Sequence, residues 1–144
     1  MELQMRMTRL ATTAILGLFF CVGGHAAPND QITQLPYPSE VSLVQEPMGW
    51  TYRQSAGNLP LYLYEPASPD ESVCDSRCEK QWAPLLVTGQ GKPIGNWSIF
   101  VRKDGRQQWA FEQHPVYTYR RDTPTHAAEG RVGGAWHSMP HYPS

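Results

Sequence analysis

Two cysteines four residues apart, Cys74 and Cys78 in Cys-Asp-Ser-Arg-Cys, carry the most distinctive chemistry in this 144-residue chain. In an oxidising compartment an even pair is most simply a structural disulfide. Cysteines at this spacing do not align readily for a bridge in a regular helix, so a bonded pair requires a distorted turn. Closing so short a loop stabilises by about 2 kcal/mol at most, so its role is to fix local shape. A redox-active dithiol or a metal site is the alternative. Arg77 and Lys80 would lower a thiol pKa, but the spacing is Cys-x3-Cys rather than Cys-x-x-Cys, and no βαβ pattern surrounds it.

A second group lies near the C-terminus, where Trp136-His137-Ser138-Met139-Pro140-His141 gathers two imidazoles and a thioether. His137, Met139 and His141 suit copper, since imidazole with thioether is a copper donor set. The competing reading is a flexible tail with scattered His and Met, His114 and His126 lying elsewhere. For catalysis the chain offers no Gly-x-Ser-x-Gly elbow, Ser-x-x-Lys pair or Gly-rich phosphate loop. Asp104, Asp122 and Glu129 have the chemistry of acids or bases, yet surface and turn roles account for them equally well. Gly130-Arg131-Val132-Gly133-Gly134 reads as a turn, and Asn96-Trp97-Ser98, formally a glycosylation acceptor, sits in a strand-like context.

These residues are positioned by short aromatic strands. Trp50-Thr51-Tyr52 is followed by Pro60-Leu61-Tyr62-Leu63-Tyr64, and Trp109-Ala110-Phe111 by Pro115-Val116-Tyr117-Thr118-Tyr119. Each copy reads as a β-hairpin, with a longer turn at Arg53–Leu59 in the first and a short one at Glu112–His114 in the second. Asn96–Arg102 alternates as a strand, and Lys103-Asp104-Gly105 turns it into the strand carrying Trp109. Cys74, Cys78 and Trp82 recur every four residues, which predicts a short helix from Ser72 or Asp75 ended by Pro84. The expected fold is therefore mainly β, α+β at most: one small compact domain of two repeated aromatic hairpin units with a short helix near the cysteine pair. The copies span about residues 49–86 and 97–140 of a domain at 49–144.

The first residues place Arg6 and Arg9 before an apolar run from Leu10 to Val22 and a small stretch ending at Ala26-Ala27. That order is a secretory signal peptide, expected to be cut after Ala26; the run is well short of the roughly 20 residues a spanning helix needs. Cys21 follows bulky Phe20, which argues against a lipid anchor there. Residues 27–48, punctuated by Pro28, Pro36, Pro38 and Pro47, read as an extended arm, with a strand at Val41–Val44. The formal net charge of −1, without basic runs, provides no field for nucleic acid. The mature chain is expected to be periplasmic or secreted, with no transmembrane segment.

The ordered motifs are familiar as a set. Pro-Leu-Tyr-x-Tyr, Ser-x-Cys-x3-Cys-x3-Trp-x-Pro-Leu, Arg-x-Asp-Gly-x-x-Gln-Trp, Pro-Val-Tyr-x-Tyr-x-x-Asp and Gly-Gly-x-Trp, running from about Gly49 to Pro140, resemble the bacterial secreted-repeat lipoproteins with a Tyr-x4-Asp motif. By position the family motif falls on Tyr117 and Asp122, with Tyr119 between them. The first copy keeps Tyr62 and Tyr64 but has Ala67 at the acid position, Asp70 lying close by. The resemblance implies an envelope protein without an established activity, and the missing lipobox a soluble periplasmic member. On these grounds the chain is expected to be a non-enzymatic binding or interaction module for an envelope protein or small ligand. The alternative is a copper-handling or thiol-redox accessory protein using Cys74, Cys78, His137, Met139 and His141.

Overall fold

The structure is a computed structural model that describes residues 35–65, 74, 76–127 and 133–142. The expected signal peptide, the first part of the expected arm, Ala67, Asp70 and Glu129 lie outside the described residues. As expected, the fold is mainly β. β1 (Val41–Glu46) turns at Pro47-Met48 into β2 (Gly49–Gln54), and a second turn leads to β3 (Leu59–Pro60) and β4 (Tyr62–Tyr64). β5 (Trp82–Pro84) follows the cysteine segment. The second copy runs through β6 (Trp97–Val101), β7 (Gln107–Phe111), β8 (His114–Tyr119), β9 (Trp136–Ser138) and β10 (His141–Tyr142).

All strand pairs are antiparallel, and their registers expose a local two-fold relation between the copies. β4 pairs β8 with Tyr62 opposite Tyr117, the same motif position in each copy. The strand following each Tyr-x-Tyr segment then crosses over. β5 pairs β8, setting Trp82 against Tyr119, and β9 pairs β4, setting Trp136 against Tyr64. The backbone continues the relation: Leu85 N–H donates to the Val116 carbonyl (2.9 Å) and Met139 N–H to the Leu61 carbonyl (3.1 Å). Likewise Arg120 N–H donates to Gln81 and Glu65 N–H to Ala135, at 2.8 and 2.7 Å. The two copies are thus intertwined by exchange of their last strands.

Strand alternation sorts the side chains onto two faces. Leu61 and Val116 point into one core with Val41, Tyr52, Trp97, Trp109 and Phe111, while Tyr62, Tyr117 and Tyr119 point into another with Cys74 and Trp82. The second core centres on the dyad, where Trp82 and Trp136 stack at 3.8 Å with an interplanar angle of 9°. Equivalent Tyr–Trp contacts flank the stack, Tyr64–Trp136 at 4.8 Å and Tyr119–Trp82 at 4.9 Å.

Both expected hairpins form, but each is short. β2 and β3 pair only at Arg53–Pro60 and Gln54–Leu59, and β7 and β8 only at Ala110–Pro115 and Phe111–His114. The second turn has two residues, Glu112 and Gln113, with φ of 48° and 70°. Two-residue hairpins of this type favour Asn-Gly because both positions need positive φ. Here Asn96 holds the turn: its carbonyl accepts from Glu112 N–H at 2.9 Å and its amide donates to the Glu112 carboxylate at 3.0 Å. The β6–β7 turn at Asp104-Gly105 matches expectation, with Gly105 at φ 83°.

Among the described residues the short helix is found as a 3-10 turn, Cys78–Lys80, and Trp82 lies beyond it in β5 rather than on a helical stripe. The every-four spacing resembled a helix face. Strand pairing with Tyr119 and stacking on Trp136 provide Trp82 with more buried contact than a three-residue stripe would.

Candidate functional site

The family-motif residues meet across the dyad rather than within one copy. The Tyr62 hydroxyl of the first copy donates to Asp122 Oδ2 of the second at 2.7 Å. At the equivalent place on the other side, Cys74 N–H donates to the Tyr117 hydroxyl at 3.2 Å. Each copy's first motif tyrosine is therefore held by the connection between the Tyr strand and the exchanged strand of the other copy. Burial foremost raises the Asp122 carboxyl above its ordinary pKa, while the Tyr62 hydroxyl and the charges of His126 and Arg53 oppose that rise.

Cys74 and Cys78 stand at disulfide distance, with Cα atoms 5.3 Å apart, within the range that a bridge requires. The turn they enclose is tied to the second copy through Glu79. Its carboxylate pairs with Arg102 and Arg106, and its carbonyl accepts from Arg120 Nε at 2.8 Å. Arg102, only 5% exposed, also donates to Gln108 Oε1, and Gln108 in turn donates to the Val116 carbonyl at 2.9 Å. This accounts for Arg-x-Asp-Gly-x-x-Gln-Trp. Asp104 binds Arg106 across the turn, which holds its carboxyl well below the usual range, Arg102 and Gln108 form a buried polar link, and Trp109 fills the core.

The His-Met segment divides between surroundings. His137 is exposed on β9, with Nε2 3.3 Å from Glu65. Met139 is 3% exposed and belongs to the first core. His141 lies on β10 with Nε2 3.3 Å from Glu46. His114 opens β8, and His126 sits in the loop after it. Among the described residues no three His, Cys, Asp or Glu side chains come together as a metal group.

Met139 and His141 instead share a cleft that no sequence motif marks. β10 pairs β2, with His141 opposite Thr51, and Thr51 Oγ1 donates to the Pro140 carbonyl at 3.2 Å. The resulting cleft, about 130 Å³, is lined by Glu46 of β1, by Thr51, Arg53 and Tyr62 of the first copy, and by Ser138, Met139 and His141 of the second. Arg53 is fully engaged: Nη1 with Glu46, Nε with the Asn58 carbonyl at 3.0 Å and Nη2 with the Pro124 carbonyl at 2.8 Å. Glu46 gives its other oxygen to His141. Tyr52 also lines the cleft, and burial foremost, with Tyr142 beside it, pushes its phenol up to about 12, so it is neutral. Glu46 lies in the segment that the sequence suggested was an arm, far along the chain from His141. The only signal that could have found the cleft is the strand at Val41–Val44, which the structure extends to Glu46.

Among the described residues no helix is long and apolar enough to cross a membrane. No curated protein and no solved structure matches the chain. Residues 98–139, from within β6 to the residue after β9, match the family model described as a secreted repeat of unknown function, which points to an exported protein and covers the second of the two copies.

Proposed function

We propose that the chain is a non-enzymatic binding module of the periplasm or extracellular space, delivered by its N-terminal signal peptide, and that the inter-copy cleft is its binding site. The observation that carries this reading is the convergence on one cleft of Glu46 from β1 and Thr51 and Arg53 from the first copy with Ser138, Met139 and His141 from the second. Its charged groups are paired to one another, an arrangement suited to recognition rather than to proton transfer. The cleft measures about 130 Å³. That is well under the roughly 300 Å³ and more of sites for drug-sized molecules, so the ligand is an ion, a very small molecule or one side group of a larger partner.

The test is a titration of the isotope-labelled mature protein with the small-molecule fraction of the cell envelope, followed by backbone and methyl NMR. Shifts clustered at Thr51, Ser138, Met139 and His141 support the reading. No perturbation, or perturbation confined to another surface, contradicts it.

A further inference from the structure

The strands β6, β7, β8 and β4 lie side by side in one sheet. Across it runs a row of short side chains: Ser98 of β6 stands opposite Ala110 of β7, and Ala110 opposite Pro115 of β8. The β4–β8 register, with Tyr62 opposite Tyr117 and Leu63 opposite Val116, continues so as to set Tyr64 beside Pro115. Opposed residues share a face, and Phe100, two residues along β6 from Ser98, shares it too. The row therefore sinks between two aromatic walls, Tyr64 and Phe100. The trough measures about 360 Å³, and Gln113 and His114, where β7 turns into β8, complete its lining. That volume falls within the roughly 300–1,000 Å³ of small-molecule sites.

The lining residues are built for contact rather than for the fold. Phe100 is half-buried yet belongs to neither core and to no ring pair among the described residues. Tyr64 is held in place by Trp136 at 4.8 Å and, edge-on, by Tyr117 at 6.2 Å, so its wall is fixed in advance. Among the described residues no hydrogen bond or ion pair engages the side chains of Ser98, Gln113 or His114. Gln113 moreover keeps a φ of 70°, which glycine would adopt without strain, and backbone strain retained at a pocket is a mark of use.

No Asp, Glu, Lys or Arg lines the trough, so a charged ligand would leave its charge unpaired there. A purely apolar ligand would leave the hydroxyl of Ser98, the amide of Gln113 and the imidazole of His114 unused. A sugar ring answers both conditions: its C–H face meets the negative faces of aromatic rings, and its hydroxyls both donate and accept. We propose that this trough is a binding site for a neutral saccharide, separate from the inter-copy cleft, with Phe100 and Tyr64 packing on the sugar and Ser98, Gln113 and His114 binding its hydroxyls.

The experiment is an NMR titration of the isotope-labelled mature protein with a panel of neutral trisaccharides of glucose, galactose, mannose and N-acetylglucosamine. A trisaccharide of glucuronic acid and a proline-rich peptide serve as charged and apolar probes. At least one neutral trisaccharide should bind with a dissociation constant of about 1 mM or tighter, shifting Ser98, Ala110, Gln113 and His114. Phe100→Ala, which takes nothing from either core, should weaken binding by roughly tenfold or more. Gln113→Gly should weaken it several-fold while raising the melting temperature, a loss of binding that damage to the fold would not explain. Thermal unfolding checks that Phe100→Ala is folded, and should it fail to fold, Gln113→Gly carries the test. The proposal is overturned if no neutral trisaccharide binds, if the shifts fall elsewhere, if the folded Phe100→Ala protein binds as the wild type does, or if the charged or the proline-rich probe binds more tightly. Shifts at Thr51, Met139 and His141 report on the inter-copy cleft, so the two sites stand or fall separately.

Discussion

At the residue scale, the Tyr-x4-Asp signature acts as a link between copies. Asp122 accepts from Tyr62, and the position matching Asp122 in the first copy is Ala67, so Tyr117 has a backbone partner, Cys74 N–H, instead. Asp122→Ala leaves the buried Tyr62 hydroxyl without this acceptor and should cost about 1–2 kcal/mol in chemical denaturation; Asp122→Asn, which keeps an acceptor, should cost clearly less. The pH dependence follows from the raised carboxyl. A carboxyl whose folded pKa lies above its unfolded value favours folding in its neutral form. That contribution is complete below the unfolded value near 3.8 and is lost as pH rises through the higher folded value. Asp122→Asn removes this titration, so its stability relative to the wild type should improve as pH rises from about 4 toward neutrality, read from denaturation midpoints at several pH values. The Glu112–Gln113 turn makes a separate prediction. Gln113→Gly relieves a φ of 70° and should raise stability by about 0.5–1 kcal/mol, with the turn still held by Asn96.

At the element scale, the cysteine turn and the β6–β7 hairpin are one unit, because Glu79 joins Arg102 and Arg106. Arg102→Ala removes one partner from a buried charged network and strands Gln108 and Glu79, at an expected cost of about 3–5 kcal/mol by thermal or chemical denaturation. Arg102→Lys should recover only part of this, since an ammonium cannot reach Glu79 and Gln108 in the geometry of a guanidinium fork. Replacing Cys74 and Cys78 together by serine should cost about 2 kcal/mol through loop entropy, with the largest chemical-shift changes at Tyr117 and Glu79. The Asp-Gly turn, the aromatic hairpins and the proximity of the cysteines were legible because each is local chemistry. The helix was misjudged in extent for a physical reason: Cys74, Cys78 and Trp82 fit a 3.6-residue stripe, but pairing with Tyr119 extends the backbone at Trp82.

At the scale of the whole molecule, the exchange of β5 and β9 was illegible in the sequence. Period-two alternation says which face a side chain occupies, not which neighbour its strand pairs with, and Tyr62-Leu63-Tyr64 would alternate identically against β5 or β9. The cleft was hidden for the same reason, since β10 must return to β2 before His141 meets Glu46. Because each copy completes the other's sheet, chains cut between β5 and β6 should each be unfolded alone and recover β structure by circular dichroism only when mixed. The exchange itself is read most directly from cross-strand NOEs. Contacts are expected between Leu63 and His137 and between Ala83 and Thr118, with the Trp82 and Trp136 rings in contact. Contacts of β4 with β5 and of β8 with β9, in place of these, would contradict it.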